Sequence, residues 1–178
     1  MIIRDLVAKG ILQQTGYIAS EVSDAIKMDA NENPFSMGEP LKRKLLESMK
    51  KIEFNRYPAA GSPELRIRFA GYFGVKKDMI MPGNGSDELI QALCFALKGK
   101  IKGVLVPFPT FSMYKIIAVN TGNKVIEVPL DEKFDLDVQA ITRKIRKNFP
   151  ALIFLSCPNS PTGNLFSRSR IEAIIKKT

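Results

Sequence analysis

Short apolar runs alternate with helical patterns along most of this chain, and this order limits the possible folds more than any other feature. Runs typical of strands buried on both faces lie at residues 79–81, 104–106, 125–128 and 152–155. Amphipathic helical patterns lie around and between them, at residues 40–52, 63–74, 86–98, 111–120, 138–147 and 168–177. This alternation predicts an α/β fold with three αβα layers, in which helices cover both faces of a mostly parallel sheet.

The predicted helix at residues 63–74 has recognisable signals at its start and along one face. Ser62 is expected to cap it, and Pro63 suits the first helical position. Its predicted apolar face consists of Leu65, Phe69 and Phe73. The following helix, at residues 86–98, is expected to stop at Gly99 because glycine commonly ends helices.

Composition excludes several classes of protein. The chain has 178 residues, of which 45% are hydrophobic, and this is enough for one globular domain with a core. No window approaches the roughly 18 uncharged apolar residues of a membrane span, and the first residues lack a signal-peptide pattern. We therefore expect a soluble, cytoplasmic protein. With only Cys94 and Cys157, and no histidine, neither a metal site nor a histidine-based triad is expected.

The net charge of +9 suggests an anionic partner, and the distribution of the charge decides which kind. The basic residues cluster at 42–44, 143–147 and 176–177, on three separate amphipathic segments without interleaved aromatic residues. A nucleic-acid-binding surface would instead gather them on one face. Solvated helix faces are the favoured interpretation, and an anionic substrate or partner is the alternative.

The turns that follow the predicted strands are the expected place for a ligand, since parallel sheets bind ligands beyond the carboxyl ends of their strands. The first turn, residues 82–88, reads Pro-Gly-Asn-Gly-Ser-Asp-Glu and opens a helix. Its glycines allow close approach, and a helix start favours an anion such as a phosphate. The alternative is that Ser86 only caps the helix.

Two further turns add groups of other kinds. In residues 107–114, Phe111 stands at a helix entrance, where it either covers a planar ring or belongs to the core. In residues 157–163, Cys-Pro-Asn-Ser-Pro-Thr-Gly, two prolines restrict the backbone while Asn159, Ser160 and Thr162 offer hydrogen-bonding groups. A purely structural loop is the alternative there. Taken together, the three turns predict a composite site with a phosphate holder, an aromatic group and a polar group.

Five motifs in order carry a resemblance that covers nearly the whole chain. They are residues 29–34 (Asp-Ala-Asn-Glu-Asn-Pro), 55–58 (Asn-Arg-Tyr-Pro), 85–88 (Gly-Ser-Asp-Glu), 109–114 (Pro-Thr-Phe-Ser-Met-Tyr) and 158–163 (Pro-Asn-Ser-Pro-Thr-Gly). The chain resembles the fold-type I aminotransferases, which use pyridoxal 5'-phosphate, and within them most closely the histidinol-phosphate aminotransferases. The resemblance implies their fold, with the large domain incomplete at its C-terminus.

The resemblance implies roles for particular residues. The backbone and hydroxyl of Ser86, with the Asp87 N–H, would hold the cofactor phosphate. Phe111 would stack on the pyridine ring, where the family usually has tyrosine. Tyr57 would reach the phosphate in the neighbouring subunit, which implies a homodimer.

The same resemblance places Tyr17 and Asn33 in an N-terminal arm that lines the substrate pocket. The family usually has two asparagines before Pro-Thr-Gly, and the second donates to the phenolic oxygen of the cofactor. Here Ser160 occupies that position, after Asn159. We favour Ser160 at the equivalent site and Asn159 for loop geometry; the alternative is that Asn159 makes the contact.

Catalysis in the family needs a Schiff-base lysine, an acid at the pyridinium nitrogen and usually an arginine near the phosphate. None of the lysines here lies in the expected Ser-Lys context, so no catalytic residue is assigned in this chain. We therefore expect the N-terminal part of a longer enzyme, inactive alone. Residues 1–52 would form an arm and small-domain segment, and residues 53–178 the first part of the large domain.

The implied reaction of the longer enzyme transfers the amino group of glutamate to imidazole-acetol phosphate. The products are 2-oxoglutarate and L-histidinol phosphate, in histidine biosynthesis. The alternatives are another fold-type I aminotransferase or decarboxylase of amino-acid metabolism, or a non-catalytic protein that keeps a phosphate site at Gly85 and Ser86.

Overall fold

A computed structural model of the chain describes residues 7–14, 24–28, 30–97 and 103–178. The chain divides into two compact units. One unit comprises Met1–Gln14 and Gly83–Thr178, and the other Thr15–Pro82. The boundary predicted between residues 52 and 53 falls inside the second unit, and as a domain boundary it stays a prediction.

A three-stranded parallel sheet organises the first unit. Its elements are α1 (Lys9–Leu12), α4 (Ser86–Ala96), β1 (Val104–Phe108), α5 (Met113–Asn120), β2 (Val125–Pro129), α6 (Val138–Asn148), β3 (Leu152–Ile153) and α7 (Arg168–Ile175). The strand order is β2-β1-β3, and Val104 of β1 lies opposite Val125 on one side and Leu152 on the other. The central strand is therefore hydrogen-bonded along both edges.

Alternate residues of β1 enter two different core clusters, as the two-residue period of a strand requires. Leu105 belongs to a cluster that Ile141 and Ile145 of α6 and Ile174 of α7 complete. Val104 and Val106 belong to a second cluster with residues of α4 and α5: Ile90, Cys94, Ile117 and Ala118. Helices thus cover both faces of the sheet, and the predicted three-layer αβα arrangement is confirmed.

Helix α6 has locally encoded ends. Asp137 caps α6, because its Oδ1 accepts the Ala140 N–H at 2.8 Å. Phe149 follows the helix as its C-cap and adopts a left-handed conformation with φ 47°. Basic residues Arg146 and Lys147 occupy its last turn, where the helix dipole favours positive charge.

The second unit contains α2 (Glu39–Met49), α3 (Pro63–Phe73) and a short 3₁₀ helix (Lys77–Met79). Arg66 of α3 ties the last two together, since its Nε and Nη2 donate to the Lys77 carbonyl oxygen at 3.1 and 3.0 Å. Ala70 is the one buried residue of α3. The predicted apolar face of this helix is exposed in the structure: Leu65, Phe69 and Phe73.

Some predicted boundaries are wrong. Residues 79–81 form no strand: Met79 ends the 3₁₀ helix, and Ile80 is extended but pairs with no strand among the described residues. Ser62 stands at the N-cap position of α3 but makes no side-chain capping bond, because its backbone is left-handed with φ 47°. The predicted stop at Gly99 lies outside the described residues.

Candidate functional site

The first predicted turn leads into α4 through a glycine. Gly85, with φ 82°, is the N-cap, and Ser86 is the first helical residue. The interpretation of Ser86 as the helix cap is therefore wrong, and its side chain is not needed to start α4. Glu88 supports the turn instead, because its Oε2 accepts the Asn84 N–H at 2.5 Å.

The start of α4 has the donor set that a phosphate requires. Ser86 and Asp87 are exposed, and the first N–H groups of a helix have no partner within it. A Cβ added at Gly85 would meet nothing within 4 Å, so the space beside the backbone is open. Unpaired N–H groups, a hydroxyl and the positive end of a helix dipole fit an anion.

The second predicted turn presents Phe111 on an aromatic support. Phe111 is half-buried and packs edge-on against Tyr114, with ring centroids 5.4 Å apart and an interplanar angle of 87°. Tyr114 in turn stacks on Phe154, at 4.6 Å and 1°. Phe111 also borders the core cluster of α4 and α5. It is thus held by the core without being enclosed in it, which leaves part of its surface available to a ligand.

The third predicted turn contains a buried, fully bonded amide. Asn159 is 2% exposed. Its Oδ1 accepts the Thr110 hydroxyl at 2.9 Å, while its Nδ2 donates to the Pro109 carbonyl oxygen at 3.0 Å and to Thr162 Oγ1 at 2.7 Å. These bonds join the turn after β3 to the turn after β1. The Asn159 amide is therefore occupied by the protein itself.

Ser160, the neighbouring residue, differs from Asn159 in both burial and hydrogen bonding. It is only partly buried, whereas Asn159 is almost inaccessible. Among the described residues, its hydroxyl makes no hydrogen bond. Within the described part of the chain, the hydroxyl is therefore free to bond a ligand.

All three turns lie at one edge of the sheet. The far end of α4 shows this, because Asn123, just after α5, donates from Nδ2 to the Cys94 carbonyl oxygen of α4 at 2.9 Å. The two helices thus end together, and since they pack side by side they also begin together. Helix α5 begins directly after the carboxyl end of β1, so Ser86 lies toward that same edge.

The remaining predicted site residues do not belong to the described part of the sheet unit. Tyr57 and Asn33 belong to the Thr15–Pro82 unit, and both are exposed. Asn33 Oδ1 accepts the N–H of Phe35 at 3.0 Å, which is a local turn contact. Tyr17 lies outside the described residues. The roles assigned to these three residues stay predictions.

An ionic cluster beside the third turn was not anticipated from the sequence. Arg170 of α7 donates from Nη1 to Asp131 Oδ2 at 2.5 Å and to the Leu136 carbonyl oxygen at 2.9 Å. Asp135 Oδ2 accepts the Ser167 hydroxyl at 2.5 Å. The cluster fixes the loop between β2 and α6 to the segment that follows the third turn. The only advance signal was the Asp-x-x-x-Asp spacing at residues 131–135, which is too common to be specific.

This cluster changes the pKa values of its members. The hydrogen bond from Arg170 lowers the pKa of Asp131, and the same bond raises the pKa of Arg170. Burial raises the pKa of Asp135, but hydrogen bonds from Ser167 and the Leu136 N–H outweigh it, so the pKa lies below its ordinary value. Both carboxylates are ionised at neutral pH and act as acceptors.

Two features that would indicate other kinds of site are absent from the described residues. No helix in 7–14, 24–28, 30–97 or 103–178 is long and apolar enough to cross a membrane. In the same ranges, no three residues among histidine, cysteine, aspartate and glutamate lie together as a metal-binding group.

Curated relatives match most of the chain. A histidinol-phosphate aminotransferase of Aquifex aeolicus is 38% identical over 169 residues, which cover 95% of this chain and 48% of the relative. A histidinol-phosphate aminotransferase of Hydrogenobaculum sp. is 44% identical over 153 residues, which cover 86% of this chain and 44% of the relative. The chain therefore spans about half the length of the curated relatives it matches.

Solved structures share the fold. The histidinol-phosphate aminotransferase of Clostridium acetobutylicum is 26% identical, with a TM-score of 0.69 over 83% of this chain and 42% of that one. The enzyme of Sinorhizobium meliloti, solved in complex with pyridoxal-5'-phosphate, has a TM-score of 0.76 at 16% identity and covers 96% of this chain and 47% of that one, which supports the fold alone. The expected fold-type I architecture is confirmed, in part of its length.

The family assignment follows from the motifs, the fold and these relatives together. Residues 23–178 match the family described as aminotransferase class I and II. This range contains all three turns at the carboxyl edge of the sheet. The chain belongs to the aminotransferase class I and II family.

Proposed function

We propose that the protein to which this chain belongs is a histidinol-phosphate aminotransferase. It transfers the amino group of glutamate to imidazole-acetol phosphate, giving 2-oxoglutarate and L-histidinol phosphate. The observation that supports the proposal is that an open helix start, a supported aromatic ring and a free hydroxyl all lie toward the carboxyl edge of the sheet. Relatives that match 86–97% of the chain and bear this name support the choice of substrate.

The residues present fit pyridoxal 5'-phosphate. Ser86 and Asp87 bind the phosphate with their N–H groups and the Ser86 hydroxyl, at the positive end of the α4 dipole. Phe111 would stack on the pyridine ring, and Tyr114 supports it by edge-on packing. The bound cofactor supplies the electron sink that amino-group transfer requires.

Phe111 replaces the tyrosine that the family usually has at this position. The phenyl ring keeps the stacking surface, and the hydrogen bond of the tyrosine hydroxyl is lost. Ser160 carries the polar contact to the phenolic oxygen of the cofactor. Two observations favour it over Asn159: the Asn159 amide is buried and fully bonded, whereas the Ser160 hydroxyl has no partner in the described part of the chain.

We extend the proposal to assembly and location. The protein acts as a cytoplasmic homodimer, in which Tyr57 reaches the cofactor phosphate of the neighbouring subunit. Tyr57 is fully exposed in the single chain, and this supports the role because the ring is accessible to a second subunit. Tyr17 and Asn33 line the substrate pocket.

The test uses the protein encoded by the complete coding region, purified and supplied with pyridoxal 5'-phosphate. With glutamate and imidazole-acetol phosphate, we expect 2-oxoglutarate and L-histidinol phosphate in equal amounts, and at most one equivalent of 2-oxoglutarate per bound cofactor when the keto substrate is omitted. Turnover only with another keto acid would indicate a different aminotransferase, and release of carbon dioxide a decarboxylase. Absence of turnover together with no borohydride-trapped pyridoxyl adduct would indicate a non-catalytic phosphate-binding protein.

A further inference from the structure

A continuous series of side-chain hydrogen bonds runs through the loop that contains Ser160. Thr110 Oγ1 donates to Asn159 Oδ1 at 2.9 Å, and Asn159 Nδ2 donates to Thr162 Oγ1 at 2.7 Å. The Thr162 hydroxyl donates in turn to Asn164 Oδ1. Asn164 Nδ2 then donates to the Phe134 carbonyl oxygen at 2.9 Å. The four side chains Thr110, Asn159, Thr162 and Asn164 are called the hydroxyl–amide relay below.

The direction of the relay is fixed at both ends. Asn159 Nδ2 also donates to the Pro109 carbonyl oxygen at 3.0 Å, and Asn164 Nδ2 donates to the Phe134 carbonyl oxygen. A carbonyl oxygen can only accept, so each amide must present its nitrogen there and its oxygen to a hydroxyl. Thr162 is the central member, because its hydroxyl must accept from Asn159 and donate to Asn164 at once.

The relay holds together the loops that follow all three strands. Thr110 follows β1, Asn159 to Asn164 follow β3, and Phe134 follows β2. Two backbone hydrogen bonds close the loop after β3. The Asn159 N–H donates to the Asn164 carbonyl oxygen at 2.8 Å, and the Gly163 N–H donates to the Asn159 carbonyl oxygen at 2.7 Å. Ser160 lies inside this closed loop, between two members of the relay.

We propose that Thr162 is a positioning residue for the cofactor site. Through the relay, its hydroxyl fixes the Asn159 amide and with it the loop, so that the Ser160 hydroxyl is held where it contacts the phenolic oxygen of pyridoxal 5'-phosphate. This inference rests on the proposed function. Thr162 itself touches neither cofactor nor substrate in this arrangement.

Replacement of Thr162 by valine tests the relay, because valine keeps the shape of the side chain and removes only the hydroxyl. We expect the affinity for pyridoxal 5'-phosphate to fall about tenfold, the size of effect that loss of one well-placed hydrogen bond produces. Thr162→Ser restores the hydroxyl and should bind the cofactor within about twofold of the unsubstituted protein. Affinity is measured by absorbance titration of the cofactor-free protein encoded by the complete coding region.

A double-mutant cycle with Ser160→Ala separates positioning from a general structural role. If Thr162 acts through Ser160, valine at 162 should have little further effect on cofactor affinity once the Ser160 hydroxyl is gone. Equal losses with and without the Ser160 hydroxyl would overturn the inference. If Thr162→Val does not fold, Asn164→Ala takes its place in the cycle. This substitution removes only the far end of the relay, and it must give the same non-additivity with Ser160→Ala.

The outcomes also separate this inference from the proposed function. If the unsubstituted protein binds no pyridoxal 5'-phosphate, the proposed function fails and the positioning role fails with it. If the unsubstituted protein binds the cofactor and the two substitutions are additive, only the positioning role fails. If the protein binds the cofactor, the effects of the Thr162 and Ser160 substitutions are non-additive and Thr162→Ser keeps the affinity, both the proposed function and the positioning role are supported.

Discussion

The two compact units of this chain place their apolar side chains very differently. In the sheet unit, Leu105 of β1 is 0% exposed. In the Thr15–Pro82 unit, Ala70 is the one buried apolar residue among the described positions, and Phe73 of α3 is 61% exposed. Both regions have amphipathic helices, but among the described residues a sheet that helices can cover is present in the first alone. The apolar face of a helix is therefore buried where another layer of the fold packs against it, and the amphipathic pattern alone does not bury it.

The largest expected effect compares one substitution in the two units. Leu105→Ala removes a fully buried side chain from the central strand and should lower the free energy of unfolding by about 2–5 kcal/mol. Leu65→Ala, on the exposed face of α3, should change it by less than about 0.5 kcal/mol. Urea unfolding of the chain measures both, and equal losses would contradict the described difference between the units.

A second comparison concerns neighbouring residues of one loop. Asn159→Ala leaves the Thr110 hydroxyl and the Pro109 carbonyl oxygen without their partner and should cost about 1–3 kcal/mol. Ser160→Ala removes no hydrogen bond within the described residues, and its cost should be under about 0.5 kcal/mol.

Cofactor affinity supplies the complementary measurement on the same two variants. Ser160→Ala should weaken binding of pyridoxal 5'-phosphate although it scarcely changes the free energy of unfolding. If both variants bound the cofactor as tightly as the unsubstituted protein, this loop would not belong to the cofactor site. A stable Asn159→Ala protein with weakened binding, beside a Ser160→Ala protein with unchanged binding, would instead assign the cofactor contact to Asn159.

A smaller effect depends on pH. Because the pKa of Asp135 is lowered in the folded chain, its carboxylate contributes stability above its ordinary unfolded pKa of 3.8, and that contribution is lost as pH falls through the lower folded value. Asp135→Asn should therefore be less stable than the unsubstituted chain at neutral pH, and the difference should shrink below pH of about 4. Thermal unfolding measured across this range checks the direction.

Glu132→Gln is the matched control, since this exposed side chain lies on the same loop. Its effect should be small throughout the range because exposed charges contribute little. A pH-independent loss for Asp135→Asn would show that the side chain matters through its shape and hydrogen bonds rather than its charge.

The sequence predicted the architecture of the sheet unit well and several details poorly. The runs at β1 and β2 were recognisable because buried parallel strands are continuously apolar. The run at residues 79–81 has the same composition, but no described strand pairs with it, so local pattern gave a false strand. The bonds of Asn159 to Thr110 and Pro109 span 49 and 50 positions. Such contacts depend on the folded topology, which local spacing does not contain.

The central claim is that the sheet unit holds the phosphate of pyridoxal 5'-phosphate at the start of α4. The same substitution in each unit tests it most directly: Ser86→Glu at that helix start, and Ser48→Glu on exposed α2 of the other unit. In absorbance titrations of the protein encoded by the complete coding region, Ser86→Glu should lower cofactor affinity at least about tenfold, because a carboxylate repels the phosphate, whereas Ser48→Glu should leave it unchanged. Equal affinities for the two variants would contradict the account.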